Sequence, residues 1–166
     1  MQRLRGIWLI IVVMNLLSLA CRKSPEQNLD QFNENFFAKY VPEFPDAQLM
    51  SKRDIPSYQQ QFFDEANGKL QLVLDLNGNN MPEYVICAFS RTMLQRKEKG
   101  AYFLAIFEKT NAGMEKRYLQ KLSVSPVTLD LSKNRERGIV ISFAFYSDYA
   151  AEIYYEGNEY HLEKLF

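Results

Sequence analysis

The residues best placed for chemistry in this 166-residue chain lie in one short segment, Asp75-Leu76-Asn77-Gly78-Asn79-Asn80-Met81-Pro82-Glu83. Oxygen-bearing side chains fill its first, third, fifth and ninth positions. A tight reversal through Gly78 aims Asp75, Asn77, Asn79 and the Met81 carbonyl inward, and Glu83 returns from the following strand. Hard cations favour such a set, since calcium takes six to eight oxygens at about 2.3–2.6 Å. With only two carboxylates, Asp75 and Glu83, the affinity expected is that of weak extracellular sites, about 10⁻⁴–10⁻³ M. The same residues also suit a plain Asn-Gly hairpin turn whose side chains cap the backbone. Both readings stay open. In the metal reading the ion's role is to stiffen the hairpin, because an ion held by saturated oxygen ligands with no general base beside it performs no reaction.

The segment is not an EF-hand: its glycine is fourth rather than sixth, and the twelfth position is Ile86. It resembles the D-x-[DN]-G-[DN]-x-x-x-[DE] loop of FG-GAP, or integrin-α-type, hairpins, and Tyr84-Val85-Ile86 supplies the apolar strand that follows. The resemblance implies calcium bound by Asp75, Asn77, Asn79, Glu83 and the carbonyl of Met81. Asn79 stands where that family commonly has Asp, Asn80 where it has Gly, and Glu83 is one methylene longer than the usual Asp. A weak internal repeat accompanies the loop. Leu74-Asp75-Leu76-Asn77-Gly78-Asn79 aligns without gaps on Leu129-Asp130-Leu131-Ser132-Lys133-Asn134, 55 positions later. In the second copy Lys133, Arg135 and Gly138 stand where ligands would be, so it cannot hold calcium in the same way. Two such units are too few to close a propeller, which takes at least four blades.

Other catalytic constellations are missing from the sequence. His161 is the single histidine, which excludes a two-histidine zinc site, and no G-x-S-x-G, phosphate-cradling glycine loop or C-x-x-C pair occurs. Equal numbers of basic and acidic residues, 20 of each, leave no excess to neutralise a phosphate backbone, so nucleic acid is not an expected partner. Arg91, Arg96, Lys97 and Lys99 crowd one inter-strand loop, which reads as a solvated tip. Near the C-terminus tyrosines are dense, and Tyr146, Tyr149, Tyr154 and Tyr155 are the expected contacts for a protein or glycan.

These residues need a scaffold, and the pattern predicts a mainly β one: an antiparallel meander sheet or sandwich with one N-terminal amphipathic helix. The helix is expected over 25–41, opened by the capping-box sequence Ser24-Pro25-Glu26-Gln27, striped by Leu29, Phe32, Phe36, Phe37 and Tyr40, and ended by Pro42. That aromatic stripe is expected to dock on the protein's own sheet. Short β-branched and aromatic runs separated by turn residues predict strands near 57–63, 69–75, 83–90, 101–108, 116–124, 127–131, 138–146, 150–156 and 158–165. Asn67-Gly68, Asn77-Gly78, Asn111-Ala112-Gly113 and Gly157-Asn158 supply turn residues that accept positive φ. One core is expected, since 166 residues are a single domain's worth.

The N-terminus reads as an address. Arg3 and Arg5 precede the apolar run Ile7 to Leu17, and Ser18-Leu19-Ala20-Cys21 follows, the layout of a secretory signal over residues 1–20. The run is short for a membrane-spanning helix, which needs about 20 apolar residues. Cys21 directly after Ala20 resembles the lipobox of bacterial lipoproteins, although Ser18 stands where that pattern usually has Leu. The resemblance implies a diacylglycerol and a third acyl chain on Cys21; a short tether is then expected over 21–24, and the single domain read from the chain's length over 25–166. Several acyl chains hold a protein on a membrane durably, at about 0.8 kcal/mol per buried methylene. Arg22 following the Cys favours an outer membrane. A lipidated Cys21 leaves Cys87 without a disulfide partner, and its apolar neighbours mark it as a buried small hydrophobe. The function expected is a lipid-anchored, non-catalytic binding or scaffolding module of the envelope, possessing at most a weak calcium site. The alternatives are a small exported hydrolase with a carboxylate site, for which Asp75 and Glu83 are the candidate pair, and an inhibitor or chaperone-like module for an exported enzyme.

Overall fold

The computed structural model of the chain describes residues 29–143 and 150–165. The signal segment 1–20, Cys21 with its tether, the Ser24 capping box, Tyr146 and Tyr149 lie outside the described residues.

Two antiparallel sheets make up the body. The first contains β1 (Ala47–Leu49), β2 (Gln71–Leu74), β3 (Glu83–Ser90), β4 (Tyr102–Thr110) and β5 (Gly113–Leu122). Both β1 and β2 pair with β3, β1 opposite residues 88–90 and β2 opposite residues 83–86. The second is a simple meander of β6 (Pro126–Leu131), β7 (Gly138–Phe143), β8 (Ala150–Glu156) and β9 (Glu159–Lys164). The fold is therefore the mainly β, antiparallel one expected.

Alternation along the strands sorts side chains to two cores. Val85, Cys87, Leu104 and Ile106 of the first sheet meet Leu129, Ile139, Ile141 and Ile153 of the second in one cluster. Tyr84, Ile86, Ala88, Phe103, Ala105 and Phe107 point the other way, toward Phe32, Phe37, Val41 and Phe44. The central strand β3 is thus buried on both faces, which accounts for its unbroken apolar run Tyr84 to Phe89. Cys87 sits in the inter-sheet core, fully buried, and burial pushes its thiol far above the ordinary value.

Helix α1 (Glu34–Tyr40) covers the outer face of the first sheet. Its aromatic stripe docks there as expected. Phe37 packs edge-on to Phe103 at 6.0 Å, and Phe36 edge-on to Phe107 at 5.0 Å. Phe44, just beyond the helix, stacks on Phe103 at 4.4 Å. The helical span is shorter than expected, however, because residues 29–33 form turns. Asn33 is the reason: its side chain accepts from the Phe36 amide at 3.2 Å, so the residue serves as an N-cap rather than a helix interior.

Three further expectations need correction. No strand forms over 57–63. Pro56 leads into a 3₁₀ turn (Ser57–Gln59) and helix α2 (Gln60–Glu65), for which the glutamines are better suited than for a strand. Asn67-Gly68 then ends this helix instead of turning a hairpin, with Asn67 at φ 49° and the Gly68 amide donating to the Phe63 carbonyl at 2.7 Å. The basic loop after β3 contains a short helix α3 (Arg91–Gln95), capped by the Ser90 side chain. Strand β1 had no sequence signal, being three residues long between turns.

The sheets touch hydrogen bond to hydrogen bond at one corner. The Leu129 amide donates to the Lys69 carbonyl at 2.7 Å, while the neighbouring Leu70 carbonyl accepts from Cys87 at 2.9 Å. On the opposite side the edge strands β5 and β9 have no such pairing with each other, and a gap remains between them.

Phe37→Ala removes a fully buried ring from the outer core and is expected to lower stability by about 3–5 kcal/mol in urea denaturation. Leu131→Ala, at an exposed position, is expected to change it by under about 0.5 kcal/mol.

Candidate binding cleft

The gap between β5 and β9 is a cleft of about 640 Å³. Its floor comes from Asn77, Asn79 and Glu108, one wall from Lys116, Arg117 and Tyr118 of β5, and the other from Tyr155, Asn158, Glu159 and Tyr160.

Glu108 organises this site. On β4 it shares the parity of Leu104 and Ile106, so it faces the second sheet, and it is 1% exposed. A carboxylate so buried needs donors on every lone pair. Oε1 accepts from Asn77 Nδ2 at 3.4 Å and from Asn79 Nδ2, and Oε2 from the Arg117 guanidinium. Arg117 reaches it because of a β-bulge. The pairing slips between Ile106 and Phe107, leaving Arg117 as the extra residue on β5 between Lys116 and Tyr118. Its other end meets Glu115 at 3.0 Å. Burial pushes the Glu108 carboxyl up, but the bonds from Asn79, Arg117 and Asn77 outweigh it and the group lies below its ordinary value.

Glu83 is directly opposite Glu108 in the β3–β4 register and is fully buried. Its Oε2 accepts from the Leu76 amide at 2.7 Å, and its Oε1 from the Tyr160 hydroxyl at 2.9 Å, a bond that ties β9 to the first sheet. Burial raises this carboxyl above its ordinary value, against the pull of those two donors and with added repulsion from Asp75 and Glu108. The Tyr160 hydroxyl is raised too, by burial and then by the neighbouring Glu83 charge.

Each side chain assigned to calcium accepts a hydrogen bond from the protein. Both Asp75 oxygens take loop amides, from Gly78 at 2.7 Å and Asn80 at 3.1 Å. Asn77 Oδ1 accepts from the Asn79 amide at 3.0 Å, and Asn79 Oδ1 from the Met81 amide at 2.7 Å. The donor set is all oxygen, as calcium requires, but an ion would have to share these atoms with the amides that shape the turn. Among the described residues no three His, Cys, Asp or Glu side chains cluster as a metal site.

The internal repeat is visible in this chemistry. Asn77 aligns with Ser132, and where Asn77 accepts the Asn79 amide, Ser132 Oγ accepts the Asn134 amide, also at 3.0 Å. Each then donates to a buried glutamate on the third strand of its unit, Asn77 to Glu108 on β4 and Ser132 to Glu152 on β8. Arg135 closes the second cluster: it bonds Glu152 at 3.3 Å and Glu163 at 3.2 Å, and lies 3.5 Å over the Tyr154 ring. A guanidinium thus bonds the buried glutamate in both units, Arg117 in the first and Arg135 in the second.

The tyrosine surface is not one surface. Tyr154 sits on the outer face of the second sheet, with Arg135 over it and His161 stacked at 5.4 Å. Tyr155, the next residue on the strand, points to the inner face and meets Tyr160 at 5.0 Å, so of the two described tyrosines of the expected set Tyr155 lines the cleft and Tyr154 does not. His161 bonds the Glu156 carbonyl at 3.1 Å, while Glu163 engages Arg135.

Sequence reasoning missed Glu108 and Arg117. The parity of Glu108 within an otherwise apolar strand was a usable signal; the bulge that turns Arg117 inward left none. No protein-family model, curated protein or solved structure matches the chain.

Because Glu83 ionises less readily when folded, native stability is expected to fall as pH rises through its raised value. Glu83→Gln is expected to be more stable than the parent near about pH 8, with the difference closing as pH falls toward the ordinary value of 4.5. Chemical denaturation across that range checks it.

Proposed function

We propose that the chain is a lipid-anchored, non-catalytic binding module of the bacterial envelope, with the β5–β9 cleft as its binding surface. One observation carries this reading: a preformed concave site in which aromatic walls surround polar groups already fixed by one another. Pockets that bind small ligands have this make-up, a shaped cavity with a few placed polar groups. The acylated Cys21, on an outer membrane, would supply attachment, and the partner would be an envelope protein or glycan. No helix among the described residues is long and apolar enough to cross a membrane.

Metabolic labelling with a fatty-acid probe, combined with envelope cross-linking, tests attachment and partner together. Label is expected on the parent and absent from Cys21→Ser. An intact mass with a bare Cys21 terminus, or with residues 1–20 retained, overturns the anchor.

Calcium belongs to this proposal as a stabiliser of the loop, held by Asp75, Asn77, Asn79, Glu83 and the Met81 carbonyl. Millimolar calcium is expected to raise the melting temperature, and Asp75→Ala to abolish the rise; an unchanged parent removes calcium from the reading.

A second reading, a small hydrolase, draws on the facing carboxylates Glu83 and Glu108, whose pKa values are displaced in opposite directions. Against it, both are buried and both carboxylates are occupied by donors from the protein. Turnover of a glycoside or ester panel, lost in Glu83→Gln, would establish it.

A further inference from the structure

We infer that the β5–β9 cleft takes a neutral saccharide, with the Tyr155 ring as the platform for a sugar face and the amides and carboxylates around it as partners for hydroxyls. This rests on the binding reading above and assigns its ligand class.

The charge count comes first. The cleft is lined by two cations, Lys116 and Arg117, and two anions, Glu108 and Glu159. Arg117 is committed to Glu108 and Glu115, and Lys116 faces Glu43 at 3.4 Å. Both cations are matched, so none is left to draw in a phosphate or a polyanion, and the single exposed anion Glu159 gives little attraction at a distance; recognition falls to short-range contacts.

The donor inventory points the same way. Asn77 and Asn79 spend their carbonyl oxygens on loop amides and one amide hydrogen each on Glu108. The second Asn77 hydrogen goes to the Tyr160 hydroxyl oxygen, and the second on Asn79 is left as a donor for a ligand hydroxyl. Glu159, exposed at the start of β9, offers an acceptor on the opposite wall. Hydroxyl groups both donate and accept, and they match this mixed lining where a carboxylate or phosphate would meet acceptors it cannot satisfy.

The aromatic walls complete the match. Tyr118, Tyr155 and Tyr160 form a connected set, with centroid distances of 6.0 Å from Tyr118 to Tyr160 and 5.0 Å from Tyr155 to Tyr160. Tyr160 is fixed by its bond to Glu83, so the ring surface is held before any ligand arrives. Rigid tyrosine faces bury the apolar C–H side of a sugar ring at little entropic cost.

The test is titration calorimetry on the full-length, detergent-solubilised protein. The probes are neutral gluco-, manno-, xylo- and chito-hexaoses, a parallel set of uronate hexaoses, and tri-lysine. Saturable binding of a neutral hexaose is expected, weakened at least about tenfold by Tyr155→Ala and several-fold by Glu159→Gln. Glu159→Gln lies at an exposed position and keeps the test valid if Tyr155→Ala loosens the fold; melting curves of both report that directly. Binding of the uronates or tri-lysine alone, lost in the same variants, overturns the neutral-sugar assignment while leaving the cleft a binding site. Neutral-hexaose binding that neither variant weakens moves the sugar off this cleft and overturns the assignment. Heat from none of the probes overturns it as well, and the envelope cross-linking above then decides separately whether the binding reading survives.

Discussion

A carboxylate removed from water at Glu108 must be surrounded by donors, and the construction of the site follows from meeting that requirement. The loop after β2 supplies Asn77 and Asn79, and the bulge in β5 turns Arg117 inward. Breaking such a buried cluster by removing one partner generally costs about 3–5 kcal/mol. Three segments that a hydrophobic core alone would leave free to drift are therefore held at fixed distances, and the cleft is the space they enclose.

The same solution appears twice. In each half of the β body, the first turn donates a short polar side chain to a buried glutamate on the third strand, and an arginine completes the set. The halves differ in where the arginine comes from: a bulged edge strand for Glu108, the turn itself for Glu152. In the second half Arg135 bonds Glu152 and covers the Tyr154 ring. In the first the arginine approaches from the side and the space beside the turn stays open.

Much of the fold could be read from local pattern. The apolar run Tyr84 to Phe89 marked β3 and the Ile139–Ile141–Phe143 alternation marked β7, because burial fixes both period and position. The aromatic stripe of α1 announced its docking. Ser57 to Phe63 misled because aromatic residues at a helix end and in a strand look alike over seven positions. Asp75, Asn77, Asn79 and Glu83 stood out in the sequence by their oxygens, and their bonds to nearby loop amides are local, yet the bonds of Asn77 and Asn79 to Glu108 and of Glu83 to Tyr160 depend on strands more than 25 residues distant. A one-residue bulge is invisible to periodicity, and with it the inward turn of Arg117.

Function follows from what the cluster leaves open. With Glu108 saturated, the residues around it act as fixed scaffolding for tyrosine faces and the remaining Asn79 amide hydrogen, an arrangement suited to holding a ligand more than to transforming it. The most direct measurement is a double-mutant cycle on stability between Glu108→Leu and Arg117→Met. If the buried carboxylate organises the site, the two substitutions are strongly non-additive, with a coupling on the order of 1–3 kcal/mol. Additive effects, with a coupling near zero, would mean that the core alone sets the cleft and that the carboxylate cluster is incidental.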